Sequence, residues 1–197
     1  FASAAIGRFF KEAEIRSIMA QVLFGLQFIH SRGFMHDNLM PENLFIQGDI
    51  VKIGGFGRCT RDGTVPTVHA GSQWYRAPEL CSRVTTIDTS VDIWACGAIM
   101  AELYLNRPLL PGSSDADQLY RINAVLDGHK SDRAPSEVIA RDGTHPSASP
   151  ITTSLSALLM PSTASCDAVA LMEAMLRYNP ADRLTAAQCL QHPFFTR

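Results

Sequence analysis

Residues 92–105 restrict the fold more than any other stretch, because this segment is apolar on nearly every side. A helix without a polar face must be surrounded by protein. We therefore expect this stretch to be the central helix of a single core. The chain can bury one sizeable core, since 46% of its 197 residues are hydrophobic. The apolar side chains of the stretch are Ile93, Trp94, Ala95, Cys96, Ile99, Met100, Leu103 and Tyr104.

Other segments have the periodicity of helices, so we expect a mainly α chain. Between residues 12 and 30 the apolar positions recur at three and four, as in an amphipathic helix, and Gly33 suits its left-handed end. Further helices are predicted at 115–126, 166–177 and 185–191.

Two other segments are not helical in pattern. Residues 44–46 and 50–53 are predicted to be short strands of a hairpin, with a turn at 47–49. Residues 128–165 are rich in Ser, Thr, Pro and Gly, and we expect a long surface excursion with little regular structure.

Composition narrows the class of partner and the compartment. Lys and Arg total 17 against 19 Asp and Glu, a formal charge of −2, which argues against a nucleic-acid surface. Five cysteines without a C-x-x-C pair favour free thiols and an intracellular location. The apolar runs are shorter than the ~20 residues of a membrane span, so we expect no membrane partner.

Five separated motifs carry a resemblance to a known family. Residues 34–44 (F-M-H-D-N-L-M-P-E-N-L) are similar to the catalytic loop H-R-D-L-K-P-E-N, and residues 51–57 (V-K-I-G-G-F-G) to V-K-I-A-D-F-G. Residues 74–79 keep W-Y-R-A-P-E, residues 92–97 resemble D-I-W-A-x-G, and residues 179–185 resemble N-P-x-x-R-x-T. In this order, the motifs resemble the C-terminal lobe of a eukaryotic protein kinase.

The resemblance assigns residues 1–197 to one kinase-like lobe, with a catalytic-loop region at 34–46 and a D-F-G equivalent at 54–57. It places the activation segment at 55–79 and the surface excursion at 128–165. The motifs of the smaller N-terminal lobe, a glycine-rich loop and V-A-I-K, do not occur, so we expect that lobe to be absent from this chain. Within the family the chain resembles the CMGC group, and most of all the branch of male germ cell-associated and intestinal-cell kinases.

The family resemblance implies ATP-dependent phosphoryl transfer with magnesium, but three expected groups are substituted. Asn38 stands at the position of the general base, and an amide cannot take up the proton of a substrate hydroxyl. Met40 replaces the lysine near the transferred phosphate, and Gly55 replaces the aspartate that binds magnesium. Only Asn43 remains as a nucleotide-site and metal ligand, and one amide oxygen is a poor magnesium site, so we assign no cofactor.

The resemblance also implies structural roles for four residues. Glu79 and Arg183 would form a buried ion pair between the activation segment and the lobe. Asp92 would accept hydrogen bonds from the backbone of the catalytic loop, with simple helix capping as the alternative. His36 is expected to bind the backbone rather than to act as a base.

Asp37 stands where the family has an arginine that pairs with a phosphate on the activation segment. A carboxylate there would repel that phosphate. Asp37 is also the one neighbouring carboxylate that could replace the missing base, although a shift of one residue along a loop points the side chain elsewhere.

These substitutions predict a pseudokinase, a catalytically impaired kinase-like domain that acts as a scaffold or an allosteric partner of an active kinase or substrate. Two alternatives stay open: an active Ser/Thr protein kinase with an unusual catalytic arrangement, and a truncated, non-functional fragment. We expect protein partners and a cytoplasmic location, while the resemblance also allows the nucleus or a cilium.

Overall fold

The computed structural model describes residues 9–64, 72–82, 86–126, 154–159 and 162–196. Helices dominate these ranges, and two small antiparallel sheets accompany them. The helices are α1 (Glu12–Ser31), α2 (Pro78–Cys81), α3 (Ser90–Leu105), α4 (Asp115–Leu126), α5 (Leu155–Leu159), α6 (Cys166–Met175), α7 (Ala186–Leu190) and α8 (Pro193–Thr196).

The two sheets are built from short strands. Strand β1 (Phe34–Met35) pairs with β4 (Thr60–Arg61), and β2 (Leu44–Gln47) forms a hairpin with β3 (Ile50–Ile53). Gly48 supplies the positive φ of 59° that the hairpin turn requires. The predicted fold class, a mainly α lobe with a small hairpin, is therefore confirmed. Single turns of 3-10 helix lie at Pro41–Asn43, Phe56–Arg58, Gln73–Tyr75 and Pro180–Asp182.

Helix α3 is the centre of the core, as its apolar sequence predicts. Every residue from Val91 to Tyr104 is buried. Helices α1 and α6 pack against it. Gly97 allows a close approach, because a Cβ there would lie 3.0 Å from Cβ of Met175 and 2.9 Å from Cγ of Leu176. The middle of α3 is thereby packed closely against the C-terminal end of α6.

Helix α1 follows the predicted stripe and ends as expected. Gly33 follows its last turn with φ 73°, and the Gly33 amide donates to the His30 carbonyl. The side of α1 that faces the hairpin carries Gly25, whose missing side chain leaves room for Ile53. The hairpin is thus held against the helix that precedes the catalytic loop. The buried side chains of the stripe are Ile15, Ile18, Met19, Val22, Leu23 and Leu26.

The expectation for residues 128–165 needs a correction at its C-terminal end. Residues 155–159 form helix α5, and Leu155 and Leu159 are each only 1% exposed. This part belongs to the core, because the two leucines, four residues apart, lie on one face of the helix. The rest of the stretch up to residue 153 lies outside the described residues, as does Thr67 of the activation segment. Within the described ranges, no helix has both the length and the apolar character that crossing a membrane requires.

A bidentate ion pair joins two distant parts of the chain. Nη1 and Nη2 of Arg183 lie 2.6 and 2.7 Å from the two carboxylate oxygens of Glu79 in α2. Nε of Arg183 also donates to the carbonyl of Arg177, at 2.8 Å. Both side chains are buried, and the guanidinium lies 5.1 Å from the Trp94 ring centre. This is the pairing that the resemblance implies, and it fixes α2 against α3.

The Glu79–Arg183 pair yields a stability prediction. Replacing Arg183→Ala leaves the Glu79 carboxylate buried without a partner, so the free energy of unfolding should fall by about 3–5 kcal/mol. Urea unfolding at neutral pH measures the change. The matched control is Arg177→Ala, because Arg177 is exposed and only its backbone carbonyl bonds to Arg183. Equal unfolding free energies for the two variants would contradict the prediction.

Candidate functional site

The carboxylate of Asp92 anchors the loop that follows β1. It is 1% exposed, in the first turn of α3. Its Oδ2 accepts a hydrogen bond of 2.8 Å from the amide of His36, and its Oδ1 accepts one of 2.9 Å from the amide of Asp37. The His30 side chain lies 2.8 Å from Oδ2 as well. The role that the resemblance implies for Asp92 is thus the observed one, and His30 is an additional partner.

His36 connects this loop to residues 54–57. Its side chain is fully buried, and Nε2 lies 2.7 Å from the carbonyl oxygen of Gly54. The Phe56 ring packs edge-on against the imidazole, with the ring centres 5.1 Å apart. His36 therefore acts as a backbone-binding side chain between the loop and the turn Phe56–Arg58.

Asn43 and Gly55 fit together tightly. The Asn43 side-chain nitrogen donates a hydrogen bond of 2.7 Å to the carbonyl of Asn38, and its backbone carbonyl accepts one from the Gly54 amide. Gly55 has a left-handed backbone with φ 76°, and a Cβ placed on it would overlap the Asn43 carboxamide. The Asn43 carboxamide therefore occupies the space where a side chain at position 55 would begin.

Asn38 and Met40 line an open cleft between the loop and the residues that precede α2. Both are partly buried, and the Met40 side chain packs against the hydrophobic core. The Met40 side chain is an uncharged thioether, so it offers the cleft no positive charge. The polar wall of the cleft also includes Arg58, Ser72 and Arg76.

The Asp37 side chain forms an ion pair with Arg58. Its backbone is left-handed, with φ 54°, and its Oδ2 lies 2.9 Å from Nη2 of Arg58. Burial raises the pKa of the Asp37 carboxyl, and the neighbouring Arg58 opposes that rise. Sequence reasoning missed Arg58, because no motif pairs residue 58 with residue 37.

The residues present do not fit a bound magnesium ion. Gly55 contributes no carboxylate, and Asn43 offers a single amide oxygen, because its amide nitrogen donates to the Asn38 carbonyl. Magnesium in nucleotide sites is bound through carboxylates and phosphate oxygens in octahedral geometry. In the part of the chain that the structure describes, no three His, Cys, Asp or Glu side chains are grouped so that they could hold a metal ion.

A helical lobe with a small hairpin and this buried loop arrangement is the C-terminal lobe architecture of a protein kinase-like domain. The family model described as "Protein kinase domain" matches residues 3–195. The chain belongs to the protein kinase domain family.

Similar curated proteins place the chain near the CMGC group. It is 40% identical over 194 residues to serine/threonine-protein kinase MAK of Homo sapiens, which covers 95% of this chain and 30% of that protein. It is equally similar to serine/threonine-protein kinase ICK of Mus musculus, at 40% over 194 residues with the same coverage. Cyclin-dependent kinase F-3 of Oryza sativa subsp. japonica is 37% identical over 196 residues, which is 94% of this chain and 43% of that protein. The chain thus spans 30–43% of the length of these relatives.

The contact of Gly55 with Asn43 predicts a position-specific loss of stability. Gly55→Ala forces a non-glycine residue into the left-handed region and displaces the Asn43 amide, so we expect a loss of about 2–3 kcal/mol. Gly57→Ala is the matched control, because a Cβ at Gly57 meets nothing within 4 Å and its φ is ordinary. Thermal unfolding of the two variants tests this, and equal melting temperatures would contradict it.

The hydrogen bonds of Asp92 give a second prediction. In Asp92→Asn one carboxylate oxygen becomes an NH₂ group that cannot accept from a backbone amide, so the free energy of unfolding should fall by about 2–3 kcal/mol. Asp49→Asn is the control, since Asp49 lies exposed in the hairpin turn. A loss for Asp92→Asn no larger than that of the control, in urea unfolding, would refute the assigned role.

Proposed function

We propose that this chain is a pseudokinase domain, which binds proteins in phosphorylation signalling as a scaffold or an allosteric partner and transfers little or no phosphate. The observation that carries the proposal is that Asn38, Met40 and Gly55 stand together at the positions where the family has its base, its lysine and its metal-binding aspartate. Two of the relatives named above are called serine/threonine-protein kinases and the third a cyclin-dependent kinase, so under this proposal the chain differs from them in activity.

Each substitution removes a different part of the transfer chemistry. A general base contributes about 10²–10⁴ in rate, and the amide of Asn38 cannot supply it. Without a cation at Met40, negative charge that develops on the phosphate has no partner from that position. Without a carboxylate at Gly55, the metal that neutralises the phosphates lacks its main protein ligand. The three losses act in the same direction, although they need not add.

The retained structural contacts of the lobe support a binding role. The Glu79–Arg183 ion pair and the bonds of Asp92 keep α2, α3 and the loop in one arrangement. A fixed surface of this kind can bind another protein without any catalytic group. We further propose an intracellular, cytoplasmic location, which is supported by the free thiols of Cys59, Cys81, Cys96, Cys166 and Cys189.

An active serine/threonine kinase is the second candidate function. The observation that favours it is the hydrogen bond between the Asn43 side chain and the Asn38 carbonyl, which fixes the backbone at position 38. Under this alternative, the reaction would proceed without a carboxylate at position 38. A truncated, non-functional product is the third candidate, and a cooperative unfolding transition of the isolated chain would count against it.

The melting temperature in the presence of nucleotide and metal provides the test. For the longest natural form of the protein, we expect that adding magnesium to saturating ATP does not raise the melting temperature beyond that with ATP alone. The physical reason is that Gly55 and Asn43 together lack the carboxylate oxygens that would link the metal to the protein. Manganese and ADP serve as further ligands in the same assay.

A magnesium-dependent rise in melting temperature would contradict the proposal and favour the active kinase. Asn43→Ala is the matched variant for that outcome, because it removes the last amide ligand at the site. A rise in melting temperature that disappears in Asn43→Ala would show that the metal binds at Asn43. A rise that persists would place the metal on the nucleotide alone.

A further inference from the structure

The ion pair between Arg58 and Asp37 is not implied by the kinase motifs and has no part in the proposed loss of chemistry. Nη2 of Arg58 lies 2.9 Å from Oδ2 of Asp37, and Nε of Arg58 donates to the Asp37 carbonyl at 3.2 Å. One guanidinium thus binds both the side chain and the backbone of a single residue. A planar fork that makes two hydrogen bonds fixes geometry better than a single charge contact does.

Asp37 is held in place independently of Arg58. Its amide donates to Oδ1 of Asp92, and its left-handed φ of 54° is one that residues other than glycine adopt infrequently. The side chain is only 6% exposed. The carboxylate is therefore a fixed, largely dehydrated acceptor at the end of the loop.

Arg58 lies where the chain enters β4. It is the last residue of the turn Phe56–Arg58, and Thr60 and Arg61 then pair with Met35 and Phe34 of β1. Beyond the strand, the Asp62 amide donates a hydrogen bond of 3.0 Å to the carbonyl of Gly33. Residues 56–62 are thus attached to the loop side of the lobe at one end by the ion pair and at the other by backbone hydrogen bonds.

The two partners of the ion pair are not equally replaceable. Burial raises the pKa of the Asp37 carboxyl, and the negative charge of Asp92 adds to the rise. Arg58, and to a smaller degree Arg76, lower that pKa, so an ionised Asp37 depends mainly on the cation of Arg58. The Arg58 side chain is 23% exposed and can reach water when the contact opens. Loss of Arg58 is therefore expected to be more disruptive than neutralisation of Asp37.

We propose that Asp37 and Arg58 form an internal latch that holds residues 56–62 against the catalytic loop in the unphosphorylated chain. Both charges come from the chain itself, so no phosphate group is needed to hold this part of the activation segment. The latch goes beyond the proposed function, because it concerns the position of the segment and not phosphate transfer. It would hold for an active kinase as well as for a pseudokinase.

Hydrogen–deuterium exchange of the full, unphosphorylated protein tests the latch. In Arg58→Met, the amides of residues 56–62 should exchange at least about tenfold faster than in the wild type, because a buried carboxylate loses its partner. The hairpin of β2 and β3 is the internal reference and should not change. Arg61→Met is the matched control, because the Arg61 guanidinium lies 5.8 Å over the Phe34 ring at the surface, and its effect should stay below about threefold.

A second mutant background separates the effect of losing the ion pair from a general loss of stability. In an Asp37→Asn background no charge is left alone when Arg58 is removed, so the added effect of Arg58→Met should fall to about threefold or less. Equal exchange in Arg58→Met and Arg61→Met would overturn the latch. So would an Arg58→Met effect that is the same with and without Asp37→Asn.

The Arg58→Lys variant keeps the test decisive if Arg58→Met loosens the whole lobe and the reference hairpin also exchanges faster. Lysine keeps the positive charge but cannot bind the Asp37 side chain and carbonyl with one planar group. We expect exchange of residues 56–62 to rise about threefold, and Asp37→Asn to abolish that rise. No rise in Arg58→Lys, or a rise that Asp37→Asn does not abolish, would overturn the proposal.

Discussion

The site depends first on the buried carboxylate of Asp92. It receives the backbone amides of His36 and Asp37, and it lies at the start of a helix that protein surrounds on all sides. Helix α3 cannot shift without disturbing the whole core, because its neighbours pack at crystal-like density. The Asp92 side chain therefore connects the loop that carries Asn38, Met40 and Asn43 to the core.

The residues that hold this lobe together are different from the residues at the catalytic positions. The groups that hold the frame are buried and paired: Asp92 with the loop backbone, and Glu79 with Arg183. The positions that would act on a phosphate carry an amide, a thioether and no side chain at all. The proposed pseudokinase function follows from this contrast, since a retained frame preserves a binding surface while the substituted groups remove base, cation and metal ligand.

Sequence reasoning predicted what local patterns and ordered motifs encode. The uniform apolar character of residues 92–105 indicated the central helix, and the motif order indicated the roles of Asp92, Glu79 and Arg183. Contacts between residues that no sequence pattern links could not be predicted. Arg58 meets Asp37 across a separation of 21 residues. The five-residue helix Leu155–Leu159 is too short to show a period within a Ser/Thr-rich stretch.

The position of the Asn43 carboxamide over Gly55 was equally hidden, since it depends on a left-handed backbone and on tertiary packing. It also bears on the central claim, because Asn43 and Gly55 together offer one amide oxygen and no carboxylate to a metal ion. The most direct measurement is transfer of the γ-phosphate of ATP to a generic basic protein by the longest natural form, beside its Asn38→Ala variant. The account predicts no transfer above background in either protein. Robust transfer that is lost in Asn38→Ala would contradict it and identify an active kinase with an amide in place of the base.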